Sequence, residues 1–220
     1  LTIERTHVPS WEYERNTSRW RVPYAHLILS NTDEWNDVVK WAISVFSIEE
    51  EQHLNSYILE IVNSEIEDER KIEKLIDYIQ DEIRYMGIES GIGSIKPFAP
   101  DQVLEQFYGD CKDKSLLLSY ILNKYELAKA YPVLVSTKLS HGLDKYRPSG
   151  KLFDHCIVKF SIDSNDYWVD PTLIRQGGNL NSIKIPDYGF GLEVKDGTKK
   201  LTKMNVVDTI SGVSIIERFI

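Results

Sequence analysis

The spacing of apolar residues divides the chain into a helical first half and a strand-forming second half. Helical periodicity recurs in three segments, which predict helices from about residue 31, over about 50–62 and over about 68–85. Asn31 or Thr32 is the expected cap of the first helix. The three apolar stripes are Trp35, Val38, Val39, Ala42 and Phe46; Leu54, Tyr57, Ile58 and Ile61; and Ile72, Leu75, Ile76, Ile79 and Ile83.

A break in this pattern separates the third helix from a fourth and a fifth. Residues 86–100 contain three glycines and two prolines, which predicts a loop, and a short helix is expected at 101–107. The segment 108–125, YGDCKDKSLLLSYILNKY, is apolar almost all round in its second half, as in a buried helix. Because Gly109 interrupts the chain before this helix, Cys111 is predicted at or near its start.

Beyond the buried helix the period of apolar positions changes to two. Strands are predicted at 130–137, 153–160 and 167–170, with the turn 161–166 between the last two. Residues 188–220 suggest further short strands. Helices followed by strands predict the α+β class, with the helices packed on an antiparallel sheet.

The domain organisation follows from the same pattern. Residues 1–30 are irregular and are expected to connect the chain to an upstream domain; 31–195 form the core, and 196–220 are C-terminal strands or the start of another segment. Because the chain begins at Leu1 and not at Met, we expect it to be a piece of a longer protein. The sequence contains no signal peptide and no apolar run long enough to cross a membrane.

Charge and cysteine content narrow the possible partners. The 220 residues include 26 Lys and Arg against 34 Asp and Glu, a net charge of −8. Nucleic acid is therefore not an expected partner, because phosphate binding requires a basic surface. With two cysteines, Cys111 and Cys156, the chain has neither a disulfide framework nor a four-thiolate zinc site.

Cys111 is the candidate nucleophile. A thiol at a helix N-terminus faces backbone N–H groups and the positive end of the helix dipole, and both favour the thiolate. The alternative is that Cys111 is a small apolar core residue, which free cysteines commonly are. The flanking charges do not decide between the two, because Asp110 and Asp113 are offset by Lys112 and Lys114.

His155 is the candidate base because of its place on a predicted strand. Alternation puts His155 on one face, whereas Cys156, Val158 and Phe160 share a wholly apolar face. Cys156 is therefore predicted to be a core residue from which His155 points away. This geometry disfavours both a zinc site made by Cys111, His155 and Cys156 and a disulfide between the two cysteines.

Asp170 is the candidate partner of the base. If the strands 153–160 and 167–170 form a hairpin, Asp170 comes beside the start of the first strand, where His155 lies. A carboxylate there accepts a hydrogen bond from the imidazole, which fixes its tautomer and stabilises the imidazolium. The alternative is a strand-terminating residue, since Asp170 precedes Pro171.

The combination of these motifs resembles the transglutaminase-like superfamily, whose core shares the papain-like fold. The resemblance covers about 31–172 and implies Cys111 as nucleophile, His155 as general base and acid, and Asp170 as the residue that orients the base. More narrowly, the chain resembles a bacterial branch of the superfamily, in which the core follows an upstream β-rich domain. The matching segments are RYMGIESG (84–91), YGDCKDKSLLL (108–118), FDHCIVKF (153–160) and YWVDPT (167–172), together with Pro100.

The resemblance implies acyl transfer on a peptide or protein substrate through a thioester, with no cofactor or metal. The oxyanion would be bound by the Cys111 backbone N–H and by either Tyr85 or Gln106. Lys112 replaces the Trp that follows the catalytic Cys of eukaryotic transglutaminases, and no acidic calcium-loop pattern is present. Both differences favour hydrolysis over cross-linking.

Two other functions use the same residues differently. A non-catalytic protein-interaction domain can have a transglutaminase-like fold with its three residue types in a blocked or misaligned groove. A regulatory thiol sensor would have an exposed Cys111 without an oriented His155.

Overall fold

The computed structural model describes residues 27–87 and 95–205, together with eight isolated positions before residue 22. Its architecture is α+β, as predicted. The helices are α1 (Trp35–Val45), α2 (Ser56–Val62), α3 (Asp68–Asp81), α4 (Pro100–Gln106) and α5 (Cys111–Lys124). The strands are β1 (Arg84–Tyr85), β2 (Tyr108–Gly109), β3 (Lys129–Val135), β4 (His155–Ile162), β5 (Asn165–Val169), β6 (Phe190–Glu193) and β7 (Thr202–Lys203).

Helix α5 is the centre of the molecule and packs against one face of the main sheet. That sheet is antiparallel, with the strand order β5-β4-β3-β6-β7. Leu117, Leu118 and Ile121 of α5 join Val158 and Phe160 of β4 in the largest apolar cluster, where each is inaccessible to solvent. Burial on several sides explains why the second half of α5 is apolar almost all round.

The second face of β4 is also covered, because Ile157 packs with Val133 and Val135 of β3 and with Tyr188. Cys156 belongs to the α5 side, in a cluster with Leu134. The predicted alternation along β4 is therefore confirmed.

Three predicted helix boundaries are wrong at one end. Helix α1 begins at Trp35 with Glu34 as its N-cap, so neither Asn31 nor Thr32 caps it. Helix α2 begins only at Ser56, where the Asn55 side chain accepts a hydrogen bond from the third helical N–H. Helix α3 ends at Asp81 because Arg84–Tyr85 pairs with Tyr108–Gly109 as a short parallel bridge.

The β4–β5 hairpin is tighter than predicted. Its turn is only Asp163 and Ser164, both in the left-handed region, so the strands continue to Ile162 and resume at Asn165. Two residues with positive φ are what the commonest two-residue hairpin turn requires. The shorter turn fixes the register that brings the start of β4 close to the residues after β5.

Of the strands predicted within 188–220, β6 and β7 are observed, and 206–220 lies outside the described residues, as do 88–94 of the predicted loop and most of 1–30. Strand β7 pairs with β6 and so extends the main sheet. The division into a connector, a core and a C-terminal segment stays a prediction. Among the described residues, no helix is both long and apolar enough to traverse a lipid bilayer.

Candidate active site

A reciprocal capping box sets the start of α5. The Asp110 carboxylate accepts hydrogen bonds from the backbone N–H groups of Lys112 and Asp113, and the Asp113 carboxylate accepts one from the Asp110 N–H at 2.8 Å. The second oxygen of Asp113 accepts from the Phe98 N–H, also at 2.8 Å. These bonds make Cys111 the first helical residue, as predicted, with its side chain half-buried.

Gly109 is required by the tightness of this corner. A Cβ atom at this position would lie 2.8 Å from the Asp113 Cβ atom, closer than real side chains approach each other. A larger residue would therefore displace the capping box that precedes Cys111.

The charged residues around Cys111 do more than offset one another. Lys112 forms an ion pair with Asp110, and both are almost fully buried. Lys114 is inaccessible to solvent, and its ammonium donates hydrogen bonds to the carbonyls of Ile83 at 2.7 Å and Gln80 at 3.3 Å. Burial lowers the pKa of Lys114 to about 8, although the nearby carboxylate of Asp170 opposes this shift.

His155 and Asp170 meet as the hairpin argument predicts. His155 is the first residue of β4, Asp170 follows the last residue of β5, and the His155 Nε2 atom lies 2.8 Å from Asp170 Oδ2. Asp170 is only 1% exposed. The buried carboxylate therefore has the imidazole as a direct partner.

Electrostatics in this pair favour the charged forms of both groups. Burial by itself lowers the pKa of His155, but hydrogen bonds and charge from Asp170 and Cys111 outweigh it and raise this pKa to about 10. Burial raises the pKa of Asp170, but the His155 imidazolium and the hydrogen bonds from Thr172 more than compensate and lower it. At neutral pH the pair is therefore an imidazolium beside an ionised carboxylate.

Two partners of Asp170 were not found from the sequence. Thr172 donates to Oδ1 from its backbone N–H at 2.9 Å and from its hydroxyl at 2.6 Å. The Tyr188 hydroxyl donates to Oδ2 at 2.7 Å. The Asp-Pro-Thr string carried a signal for the first, because Thr two residues after Asp commonly closes a local turn. Tyr188 lies in an irregular segment with no pattern that points to it.

A cleft of about 750 Å³ opens over Cys111 and His155. Its wall is partly apolar and its rim carries charges of both signs. Its apolar lining includes Val38, Trp41, Phe46, Leu134 and Phe153, and its charged lining includes Asp37, Lys138, Lys151 and Asp154.

The predicted loop 86–100 contributes Gly87 and Ile95 to the cleft. Of the two expected oxyanion donors, Tyr85 lines the cleft, whereas Gln106 does not and its side-chain amide donates to the Tyr108 carbonyl at 2.8 Å.

Cys156 is a core residue, as predicted, because its side chain is only 2% exposed. Both cysteines are free thiols. Within the described part of the chain, no group of three or more His, Cys, Asp or Glu side chains is arranged to hold a metal ion.

No family model matches the chain, and no curated protein matches it either. Among solved structures, it is similar to the crystal structure of a putative protease from Parabacteroides distasonis, with a TM-score of 0.57 and 15% identity over 76% of this chain. The fold is transglutaminase-like.

This chain spans 30% of the length of the Parabacteroides protein. It is also similar to a TGase (TM-score 0.37, 14% identity, 66% of this chain and 33% of that one). A putative cysteine protease from Cytophaga hutchinsonii gives a TM-score of 0.36 and 14% identity over 83% of this chain and 55% of that one. At 15% identity the likeness to the Parabacteroides protein shows the fold alone, so the chemistry is argued from the site.

The raised pKa of His155 predicts how stability depends on pH. The folded protein retains the imidazolium proton until about pH 10, whereas an unfolded chain releases it near pH ~6.5. The stabilisation is therefore complete below about pH 6.5 and is lost as the pH rises to about 10. We expect the free energy of unfolding, measured by urea denaturation, to fall across this window.

His155→Gln is the matching variant, because it keeps a polar side chain that cannot gain a proton. Its unfolding free energy should lack the decline attributed to His155. The same slope in both proteins would contradict the assignment. The lowered pKa of Lys114 acts in the opposite sense above about pH 8 in both proteins, and so cancels in the comparison.

Proposed function

We propose that this transglutaminase-like domain is a cysteine peptidase or amidase that cleaves a peptide or protein substrate through a thioester on Cys111. The observation that carries the proposal is the 2.8 Å contact between His155 Nε2 and Asp170 Oδ2, in a site where Cys111 and His155 line the same cleft. A nucleophile, a base and a carboxylate that orients the base are the three groups that this kind of acyl transfer requires.

The two imidazole nitrogens have separate tasks. Because Nε2 is bonded to Asp170, Nδ1 is the nitrogen left to exchange a proton with Cys111 and the substrate. The Cys111 thiolate attacks the amide carbonyl carbon, and the C–N bond breaks as Nδ1–H gives its proton to the leaving amine. Water then attacks the thioester, gives a proton to Nδ1, and releases the carboxylic acid and the thiolate.

The oxyanion is bound at the first turn of α5. The N–H groups of Lys112 and Asp113 are bonded to the Asp110 side chain. The N–H of Cys111, the first helical residue, is therefore the one we infer for the oxyanion, at the helix end that stabilises negative charge. Tyr85 supplies the second donor, because it lines the cleft and Gln106 is bonded elsewhere.

Hydrolysis is favoured over amine transfer. Lys112 occupies the position at which the better-known cross-linking enzymes of this superfamily have Trp, and its ammonium is paired with Asp110. This departure favours hydrolysis, and water is the acceptor we infer.

The test is the pH dependence of Cys111 alkylation by iodoacetamide, with Cys156→Ser in every protein so that a single thiol reacts. We expect fast alkylation below pH ~7, where an ordinary thiol with a pKa of ~8.5 is mostly protonated. His155→Ala should abolish the fast reaction at low pH. Slow alkylation, or alkylation indifferent to His155, would favour a non-catalytic interaction domain instead.

A further inference from the structure

We propose that Tyr188 is a positioning residue of this site, which acts on His155 by holding Asp170 in place. The inference rests on the proposed function and adds a fourth residue to it. Tyr188 does not line the cleft, so its effect passes through the carboxylate and not through the substrate.

The hydrogen bonds around Asp170 use its full capacity. An ionised carboxylate accepts about four hydrogen bonds and donates none. Oδ1 accepts two from Thr172, and Oδ2 accepts one from His155 and one from Tyr188. The Tyr188 hydroxyl must therefore be a donor, and it shares the oxygen that orients the imidazole.

The two anchors of Asp170 differ in origin. Thr172 is two residues away in the chain and holds Oδ1 by a local turn. Tyr188 is 18 residues away and is the remote anchor for Oδ2. Without it, Thr172 at Oδ1 is the anchor that remains besides the imidazole itself, so the carboxylate is less restrained against rotation about its Cβ–Cγ bond.

The ring of Tyr188 also shields the pair. Its centroid lies 5.5 Å from that of His155, with 58° between the ring planes, and the residue is 9% exposed. Burial, followed by the charge of Asp170, raises the pKa of Tyr188, so the hydroxyl keeps its proton throughout the working range. A donor that never ionises beside Asp170 suits an anchoring role.

A dedicated turn presents Tyr188 to the site. Gly189 has a φ of +72°, and a Cβ atom there would lie 2.6 Å from the His141 backbone nitrogen. The Asp187 carboxylate meets the His141 imidazole at 3.1 Å, and the Met204 N–H donates to the Gly189 carbonyl at 2.9 Å. Contacts on both sides of Tyr188 thus fix where its hydroxyl points.

Tyr188→Phe is the direct test, with Tyr78→Phe as the matched control. Tyr78 is also 9% exposed, and its hydroxyl accepts a hydrogen bond from Asn55 at 2.7 Å, away from the cleft. We expect Tyr188→Phe to move the acid limb of Cys111 alkylation by iodoacetamide upward by about half a pH unit or more. Tyr78→Phe should leave this pH profile as in the wild type.

A second variant, which retains the hydroxyl, keeps the test valid even if Tyr188→Phe does not fold. Incorporation of 3-fluorotyrosine at Tyr188 makes the phenol a stronger donor without removing an atom from the core. Because the hydroxyl still anchors Oδ2, the acid limb should stay near that of the wild type and below that of Tyr188→Phe, and fluorination of Tyr78 should have no effect.

The outcomes separate this inference from the proposed function. If wild-type Cys111 alkylates slowly at low pH, the proposed function fails. If it alkylates fast but both Tyr188 variants keep the wild-type pH profile, the function stands and the positioning role is overturned. A lower melting temperature of Tyr188→Phe with an unchanged pH profile would likewise overturn it, because it would show a structural role only.

Discussion

Cys111→Ala is expected to reduce peptide hydrolysis by at least about 10³-fold, because the acyl intermediate of the proposed mechanism forms on the Cys111 sulfur. The binding surface should be unaffected, since Cys111 contributes one small, half-buried side chain to it. The measurement is the mass-spectrometric yield of new termini from a complex peptide mixture, compared between wild type and variant at equal concentrations of folded protein.

The chain provides its own control in Cys156→Ala. This second thiol is 2% exposed and packs in the core beside Leu134, so its loss should leave the cleavage pattern intact. Cleavage that persists in Cys111→Ala would assign the chemistry elsewhere. Cleavage lost equally from both folded variants would contradict the assignment of the chemistry to Cys111 alone.

Lys114→Ala should destabilise the protein by about 3 kcal/mol, the largest stability effect we expect from a charged residue of α5. The ammonium donates to the carbonyl of Gln80, in the last turn of α3, and to that of Ile83, just after the helix. Truncation leaves those buried acceptors without donors and opens a cavity. Part of this cost is offset because the variant no longer buries a charge, and the lowered pKa of Lys114 shows that this burial is unfavourable.

The measurement is the midpoint of urea unfolding, with Lys124→Ala as the control on the same helix. Lys124 pairs with the exposed Glu51, and an ion pair of this kind contributes little to stability. Equal midpoints for the two variants would show that the hydrogen bonds of Lys114 are not a significant part of the folding free energy.

The sequence predicted the class of fold and the placement of Cys111, because both depend on local patterns. An apolar stripe or an alternating run determines which face of an element is buried, and Gly109 marks where α5 begins. The pairing of His155 with Asp170 was also accessible, since a hairpin with a short turn relates its two ends by simple geometry.

What the sequence did not predict depends on contacts between distant segments. Lys114 was treated as one of four offsetting charges, whereas its partners lie more than 30 residues earlier at the end of α3. Tyr188 reaches Asp170 from an irregular turn. The end of α3 was misplaced because the buried Ile83 continues the apolar stripe of the helix beyond its last residue, Asp81, before 84–85 pair with β2. The spacing of apolar residues within one segment does not indicate contacts with a distant segment.

Gln80 in α3 is hydrogen-bonded both to Asp170 and to the helix that carries Cys111. Its side-chain amide donates to the Asp170 carbonyl at 2.9 Å, and its own carbonyl accepts from Lys114 on the helix that carries Cys111. Asp170 and the helix that carries Cys111 are therefore both held against the last turn of α3. A change in that turn is expected to disturb Cys111 and the His155–Asp170 pair together.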